Sequence, residues 1–459
     1  MKVTKKLTEG NIYVNFLKYS IPLMLSSLLA SLYSTVDAVI AGKCIGEFAL
    51  GAVSATGSFE SLFFALFNGF AGGFGIYIAQ LFGKGDGNKI KRDSCSTALL
   101  VAAISIAVGL CSIVLRNPIL DYLNVDPILR SDAETYFVIS MGGCLFSYTN
   151  VVLVNMLYSV GVTSISLYVS IGSAVLNIVG NLLTVMVFDM GVAGLAVSTV
   201  VSTACVTVVY LYMLRKVFRE ISDDKEPFRF SFAGIVRSAR YTVPAAVQKV
   251  AFCGVSFLIA PAVNGLGAAA TTANNVVTRI YSIATTSIWY VTAASACYTA
   301  QCVGEEDCKK IPRGMRVGFW MNLAFLVPIV LAFMVFAKPI VSIFFPEGYV
   351  GEAIDYSLRY VYVYLPFLFL QMEDHHLHSY MRSLGQINAV LWISIFSGAV
   401  RTVGTLWLIP SMHLDGAFLA QVISWGADVA VSYVLYWFFF RKQGQLERIV
   451  KSIAEKNSR

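Results

Sequence analysis

Runs of roughly 20 apolar residues recur from one end of this 459-residue chain to the other. A helix needs about that many residues to cross a hydrocarbon core of ~30 Å. In lipid, backbone groups must be satisfied within the protein, so spanning segments of this kind are helical. The chain is therefore expected to be an all-α membrane protein. Only 13% of its residues are charged, against ~25% in an ordinary soluble chain. The nine cysteines are scattered, mostly in apolar segments, with no CxxC or zinc-like spacing. They read as small hydrophobes. The start, MKVTKK, leads into a full-length span and does not read as a signal peptide.

Twelve spans are expected, starting near Tyr19, Phe48, Ser94, Tyr136, Ser164, Val192, Tyr241, Thr271, Val317, Tyr360, Ala389 and Ala417. With the N-terminus inside, the inner segments hold 26 of the 34 Lys and Arg. The outer segments hold Lys43, Arg116, Arg130, Lys338 and Arg359, while Lys249, Arg279 and Arg401 fall within spans. Such an imbalance places both termini in the cytoplasm of a multi-pass cell-membrane protein. The net charge of +7 then reports orientation, and no nucleic-acid partner is expected. The division expected is a first lobe over 1–214, a cytoplasmic linker over 215–240, a second lobe over 241–440 and a tail over 441–459.

The two lobes repeat one another. AQLFGKGD from Ala79 returns as AQCVGEED from Ala300, an offset of 221. NPIL at Asn117 meets KPIV at Lys338, LYSVG ending at Gly161 meets MRSLG ending at Gly385, and Pro22 matches Pro244. Six spans is an even number, so both halves enter the membrane from the same side. They form two six-helix lobes related as parallel repeats, with a central cleft between them suited to alternating access by rocking.

At this point the motifs become familiar. VDAVIAGKCIGEFALGAVSATGS, IAQLFGKGDGNKIKR and VNGLGAAATTANNVVTRI resemble the multidrug and toxic compound extrusion (MATE) family, closest to its prokaryotic DinF-like branch. The resemblance covers nearly the whole chain. It implies twelve helices in two lobes and export of drugs or metabolites driven by inward flow of protons or sodium ions. It places the cation-coupling site in the first lobe: Asp37 on the first span, Asn177 and Asn181 on the fifth, and Thr199 on the sixth. Many members carry an acid where this chain has Asn181. Members of other branches have a seventh-span glutamate, where this chain reads AVQKVAFCG. Both departures weaken the case for a sodium site and leave Asp37 as the main titratable group of this lobe.

The residues themselves support that assignment. Ser26, Ala30, Tyr33, Ser34 and Asp37 form one small, polar stripe on the first helix, and Ser170, Ser173, Asn177, Asn181 and Thr184 form another on the fifth. Lipid cannot satisfy such stripes, so they face protein or water. The hydroxyls and small residues read first as helix-packing contacts. Asp37 differs, because an intramembrane carboxylate is costly and marks a functional site by default. Taking up a proton from outside and releasing it inward would tip the lobe between two shapes. The small residues of NGFAGGFG, with Gly69 and Gly73 in GxxxG spacing, permit a close helix approach on the second span.

QMEDHHLHSYMRSLG, Gln371 to Gly385, holds three of the four histidines. Glu373, Asp374, His375, His376 and His378 occupy more than one helical face, so they cannot all meet one cavity. Three readings compete: a metal enzyme, a proton relay or substrate contact, and a polar wall paired with Arg401, Asp428 or Lys249. One helix seldom supplies enough ligands for an open catalytic metal, so neither metal nor catalysis is expected. Glu60 and Arg279 fall at similar depth on equivalent helices and are candidates for a gate.

The function expected is secondary antiport. Small organic compounds, cationic or amphipathic, would leave in exchange for a coupling cation, protons in preference to sodium, with no cofactor and as a monomer. A flippase for lipid-linked precursors would want a cationic cavity, whereas Asp37, Glu60, Glu373, Asp374 and Asp428 outnumber Lys249, Arg279 and Arg401 in the spans. A membrane metalloenzyme is the distant alternative.

Overall fold

The computed structural model describes residues 4–40, 44–123, 125–222, 230–345, 349–439 and 443–458. Lys43, residues 223–229 of the expected linker and the first two residues of the tail lie outside them. The described residues are helical nearly throughout, without strands. In the first half α1 spans Ile12–Ile40, α2 Glu47–Lys84, α3 Gly87–Val114, α4 Arg116–Tyr122, α5 Arg130–Ser159, α6 Ser164–Leu182 and α7 Gly191–Ile221. In the second, α8 spans Phe232–Asn264, α9 Ala268–Gly304, α10 Ile311–Val335, α11 Ala337–Ser342, α12 Glu352–Arg359, α13 Leu368–Ser383, α14 Ile387–Met412 and α15 Leu414–Phe439. The expected tail is largely a helix, α16 at Gln443–Ser458, which buries Leu446, Val450 and Ile453 on one face.

Ten helices among the described residues are long and apolar enough to cross a membrane. The expected eighth and tenth spans are the other two. The eighth is α9, whose face is diluted by Thr, Ser and Asn. The tenth is broken: a π-helical turn at Tyr360–Tyr364 and a 3-10 turn at Leu365–Phe367 separate α12 from α13. Pro366 lies in the 3-10 turn and lacks an N–H, which accounts for a break at this point.

Local signals explain where helices stop and start. Gly85 ends α2 with a φ of 81° and sends its N–H back to Leu81 and Phe82, a left-handed cap that glycine adopts without steric cost. Asp86 then caps α3 by accepting from the Lys89 N–H at 3.1 Å. The GKGDGN sequence is thus a helix-to-helix turn. Its counterpart has Glu306 at a φ of 57°, a conformation unusual for a side-chain-bearing residue.

The repeat extends to the backbone. Positive φ recurs at Gly46 and Gly267, at Gly85 and Glu306, at Gly161 and Gly385, and at Asp189 and His413, each pair one repeat apart. Packing recurs as well. In the first half α5 packs on α2, α3 and α7, and α6 on α7. In the second, α13 packs on α9, α10 and α15, and α14 on α15.

The chain divides into two compact units, whose edges differ from the expected lobes. Residues 7–20 belong to the second unit, and residues 21–246 to the first. The contacts explain both exchanges. In the second unit the Leu7 N–H donates to Gln301 Oε1 at 2.8 Å, Thr8 to Glu305 at 2.7 Å, and Phe16 meets Tyr298 edge-on at 5.6 Å. In the first unit the Tyr241 hydroxyl donates to Gln80 Oε1 at 2.9 Å. Gln80 and Gln301 are the matching glutamines of the two AQ motifs. Gly73 makes room for the start of α8, since a Cβ there would lie 2.3 Å from the Tyr241 carbonyl oxygen. This is the close approach expected of the GxxxG spacing. The ends of the expected linker are therefore helical and packed: α7 runs to Ile221 and α8 starts at Phe232.

Candidate functional site: two buried polar networks

In the first unit the four residues expected to couple cations are joined by hydrogen bonds. Asn181 Nδ2 donates to Asp37 Oδ1 at 2.6 Å and to Asn177 Oδ1 at 3.1 Å. Asn177 Nδ2 in turn donates to Thr199 Oγ1 at 3.2 Å, and its carbonyl accepts from Ser198 at 2.9 Å. Helical spacing places Asn177 and Asn181 one turn apart on the buried face of α6. Gly180 on α6 lets α7 come close, since a Cβ there would lie 2.4 Å from Ser198 Oγ. Both asparagines are almost fully buried, whereas Asp37 and Tyr33, one turn earlier, are half-buried. Asn181 Oδ1 is buried without a hydrogen-bond partner. The carboxyl thus sits at the accessible end of a chain of amides and hydroxyls.

In the second unit the histidine segment separates by face. Asp374 and His378, one turn apart on α13, point at Asp428 of α15. His378 Nδ1 lies 3.0 Å from Asp374 Oδ1, and its Nε2 lies 3.0 Å from Asp428 Oδ1. Both ring nitrogens thus lie at ion-pair distance from carboxylate oxygens, although Nε2 and Asp374 Oδ1 make no hydrogen bond. Ser432 adds a donor to Asp428 at 3.3 Å. His375 approaches Asp374 at 3.2 Å and meets the Trp289 ring edge-on at 4.3 Å. Lys249 Nζ lies 4.3 Å from that Trp289 ring, a cation–π distance. Arg382 reaches Gln248 at 3.4 Å, and Gln248 donates to Ser394 at 2.7 Å.

The remaining residues stand apart from this triad. Glu373 accepts from the Tyr433 hydroxyl, and Gln371 donates to Tyr281. His376 turns toward α10, 6.1 Å from the Phe319 ring and close above Gly318. Arg401 lies within electrostatic reach of the Tyr281 and Tyr360 hydroxyls, so of the partners considered for the cluster it is Asp428 that pairs with it. Glu60 belongs to the first unit and keeps one carboxyl oxygen buried without a hydrogen-bond partner. Arg279 belongs to the second unit and is exposed.

Asp374, His378 and Asp428 bring their ligand-capable atoms within 4.8 Å of one another, close enough to hold a small cation. Sequence reasoning had Asp428 as one possible partner among three and missed Trp289 and Tyr433. The usable signal was the i, i+4 spacing of Asp374 and His378, which puts both groups on one face.

Long apolar helices in two repeated units, each with a buried polar network, define a membrane transporter and not an enzyme. The chain belongs to the MatE family, whose model matches it twice, over residues 22–183 and 244–407. Those matches begin at the two repeat-related prolines. The chain is 25% identical to the probable multidrug resistance protein YoeA of Bacillus subtilis (strain 168), with 98% of each chain covered. A crystal structure of a MATE protein in complex with MaD3S superposes with a TM-score of 0.85 at 17% identity, over 97% of this chain and 98% of that one. A multidrug resistance MATE transporter in an outward-facing conformation gives 0.85 at 18%, over 98% and 100%. A MOP superfamily transporter from Pyrococcus furiosus gives 0.84 at 17%, over 98% and 100%.

Proposed function

We propose that this chain is a cation-coupled antiporter that exports small cationic or amphipathic organic compounds, with protons as the driving ion. The observation that carries the reading is the hydrogen-bonded series Asp37, Asn181, Asn177 and Thr199. Asn181 turns its amide nitrogen toward both Asp37 and Asn177. An amide donor on the carboxyl supports the ionised form and so assists release of a proton. The drug-resistance description of the Bacillus subtilis relative supports the substrate class.

For a neutral amphipathic substrate the membrane potential suffices, whereas a monovalent cation exchanged one for one moves no net charge and is driven by the pH difference alone. One proton moving through ~100 mV releases ~2.3 kcal/mol. At ~1.4 kcal/mol per tenfold, this sustains roughly a 50-fold gradient of a neutral substrate. Protonation of Asp37 removes a half-buried charge and shifts the first unit between two shapes. The Asp374, His378 and Asp428 triad serves, in the same reading, as a second place where a proton is held. Glu60 and Arg279 are retained as gate candidates, and a cell-membrane monomer with cytoplasmic termini completes the reading.

Dye efflux from vesicles with imposed proton or sodium gradients tests the proposal. Wild type should respond to the proton gradient and Asp37→Asn should not. Unchanged efflux in the variant removes Asp37 from the mechanism.

A further inference from the structure

A crevice of about 760 Å³ lies within the first unit, between the start of α3 and the ends of α5 and α7. It is separate from the Asp37 network, and its lining changes character from one end to the other. Leu153, Met156, Leu211 and Leu214 give it apolar walls, while Lys91, Arg215 and Arg219 also border it. Ser94, 1% exposed, lines it as well, with its hydroxyl buried and without a hydrogen-bond partner. The crevice thus joins an apolar wall to cationic groups, the mixed lining that an amphipathic anion fits.

The surroundings identify what that is. Val208, Leu211 and Tyr212 on α7 are more than half or about half exposed, at 67%, 50% and 66%, which marks an apolar outer face. Arg215, Lys216 and Arg219 follow within two turns. The change from apolar to cationic along one helix is what the boundary between acyl chains and headgroups requires. Among the described residues, Asp93 is fully buried, bonded to the Tyr77 hydroxyl at 2.7 Å and paired with Arg237 at 3.3 Å.

We infer that this crevice binds an anionic glycerophospholipid of the inner leaflet. The phosphate lies among Arg215, Arg219 and Lys91, and an acyl chain follows the leucine wall. The inner-leaflet assignment rests on the cytoplasmic placement of the Lys/Arg-rich segments. The antiport reading is independent of it.

The test is native mass spectrometry of the full chain in detergent, titrated with phosphatidylglycerol or phosphatidylcholine. Wild type should retain phosphatidylglycerol at least about tenfold more tightly, the discrimination expected of two or three cations near a lipid phosphate. The double substitution Arg215→Ala with Arg219→Ala should abolish that preference without lowering the melting temperature. Ala98→Phe, which fills the crevice, should weaken retention of both lipids. Should the double variant prove unstable, Arg215→Gln alone should reduce the preference about fivefold. Equal retention of the two lipids by wild type, or a preference that survives loss of both arginines, overturns the inference. Displacement of phosphatidylglycerol by millimolar inorganic phosphate also overturns it, because the acyl chain then contributes nothing.

Discussion

His378 on α13 places its Nε2 3.0 Å from Asp428 on α15, while its Nδ1 faces Asp374 at the same distance. The imidazole contacts two buried acids whose ligand-capable oxygens also lie within 4.8 Å of each other. Replacing it with Phe removes the nitrogen from both. Breaking a buried charge pair costs about 3–5 kcal/mol. His378→Phe is therefore expected to lower the melting temperature in detergent well beyond what His376→Phe does. Pairing it with Asp428→Asn should recover part of the loss. Equal melting of the two single variants would separate His378 from the acids.

Asn181 is the hub of the first network, donating to both Asp37 and Asn177. Asn181→Leu keeps the volume and removes both donors. A hydrogen bond to a charged group contributes ~1.5–3 kcal/mol, so proton-driven efflux should fall by roughly tenfold to a hundredfold. Asn181→Asp should keep efflux and move its pH profile. Efflux rates over a pH series in reconstituted vesicles measure both.

Asp93 is fully buried, accepts from Tyr77 and pairs with Arg237, and the α8 backbone at Gly234 leaves no room beside it. Arg237→Met strips the acid of its counter-charge. The expected loss is about 3–5 kcal/mol, seen as a marked drop in melting temperature and in recoverable folded protein. Arg92→Met is the control: Arg92 is half exposed and lies 3.6 Å from the same acid, and an exposed pair is worth ~1 kcal/mol or less.

Gly73→Leu drives a side chain into the Tyr241 carbonyl, where even a Cβ would lie at 2.3 Å. Overpacking of this kind costs typically 1–3 kcal/mol and more against backbone. Gly72→Leu, with open space around its Cβ position, should be tolerated. Thermal melts of the two variants compare them directly.

Glu306 adopts the backbone conformation that Gly85 adopts one repeat earlier. The left-handed region costs a side-chain-bearing residue ~1–2 kcal/mol, and glycine gives back ~0.5–1 kcal/mol through its freer unfolded chain. Glu306→Gly should therefore raise stability by about 0.5–1 kcal/mol, and Gly85→Glu should lower it.

The helices, the duplication and the members of the first network were legible in the sequence, because periodicity and an intramembrane acid are local signals. Asp37, Asn177 and Asn181 lie on polar stripes, which lipid cannot satisfy, while Thr199 was indicated only by the family resemblance. What sequence could not show is which stripe faces which neighbour. Asp428 on the twelfth span meets His378, while Arg401 on the adjacent eleventh does not. That choice depends on the rotation of α14 and α15 about their axes, which is set by packing between residues far apart in the chain. The exchange of residues 7–20 was hidden for the same reason. It depends on Gln301 and Tyr298, nearly 300 positions away.

That exchange has a mechanical consequence. α1 passes from the second unit to the first after Ser20, and α8 passes from the first to the second after Ala246. Beside each crossing stands a proline, Pro22 or Pro244, which withholds one rung from the helical ladder. A helix bends most easily where a rung is missing. The repeat has thus set one such soft point into each half of the chain, at matching positions.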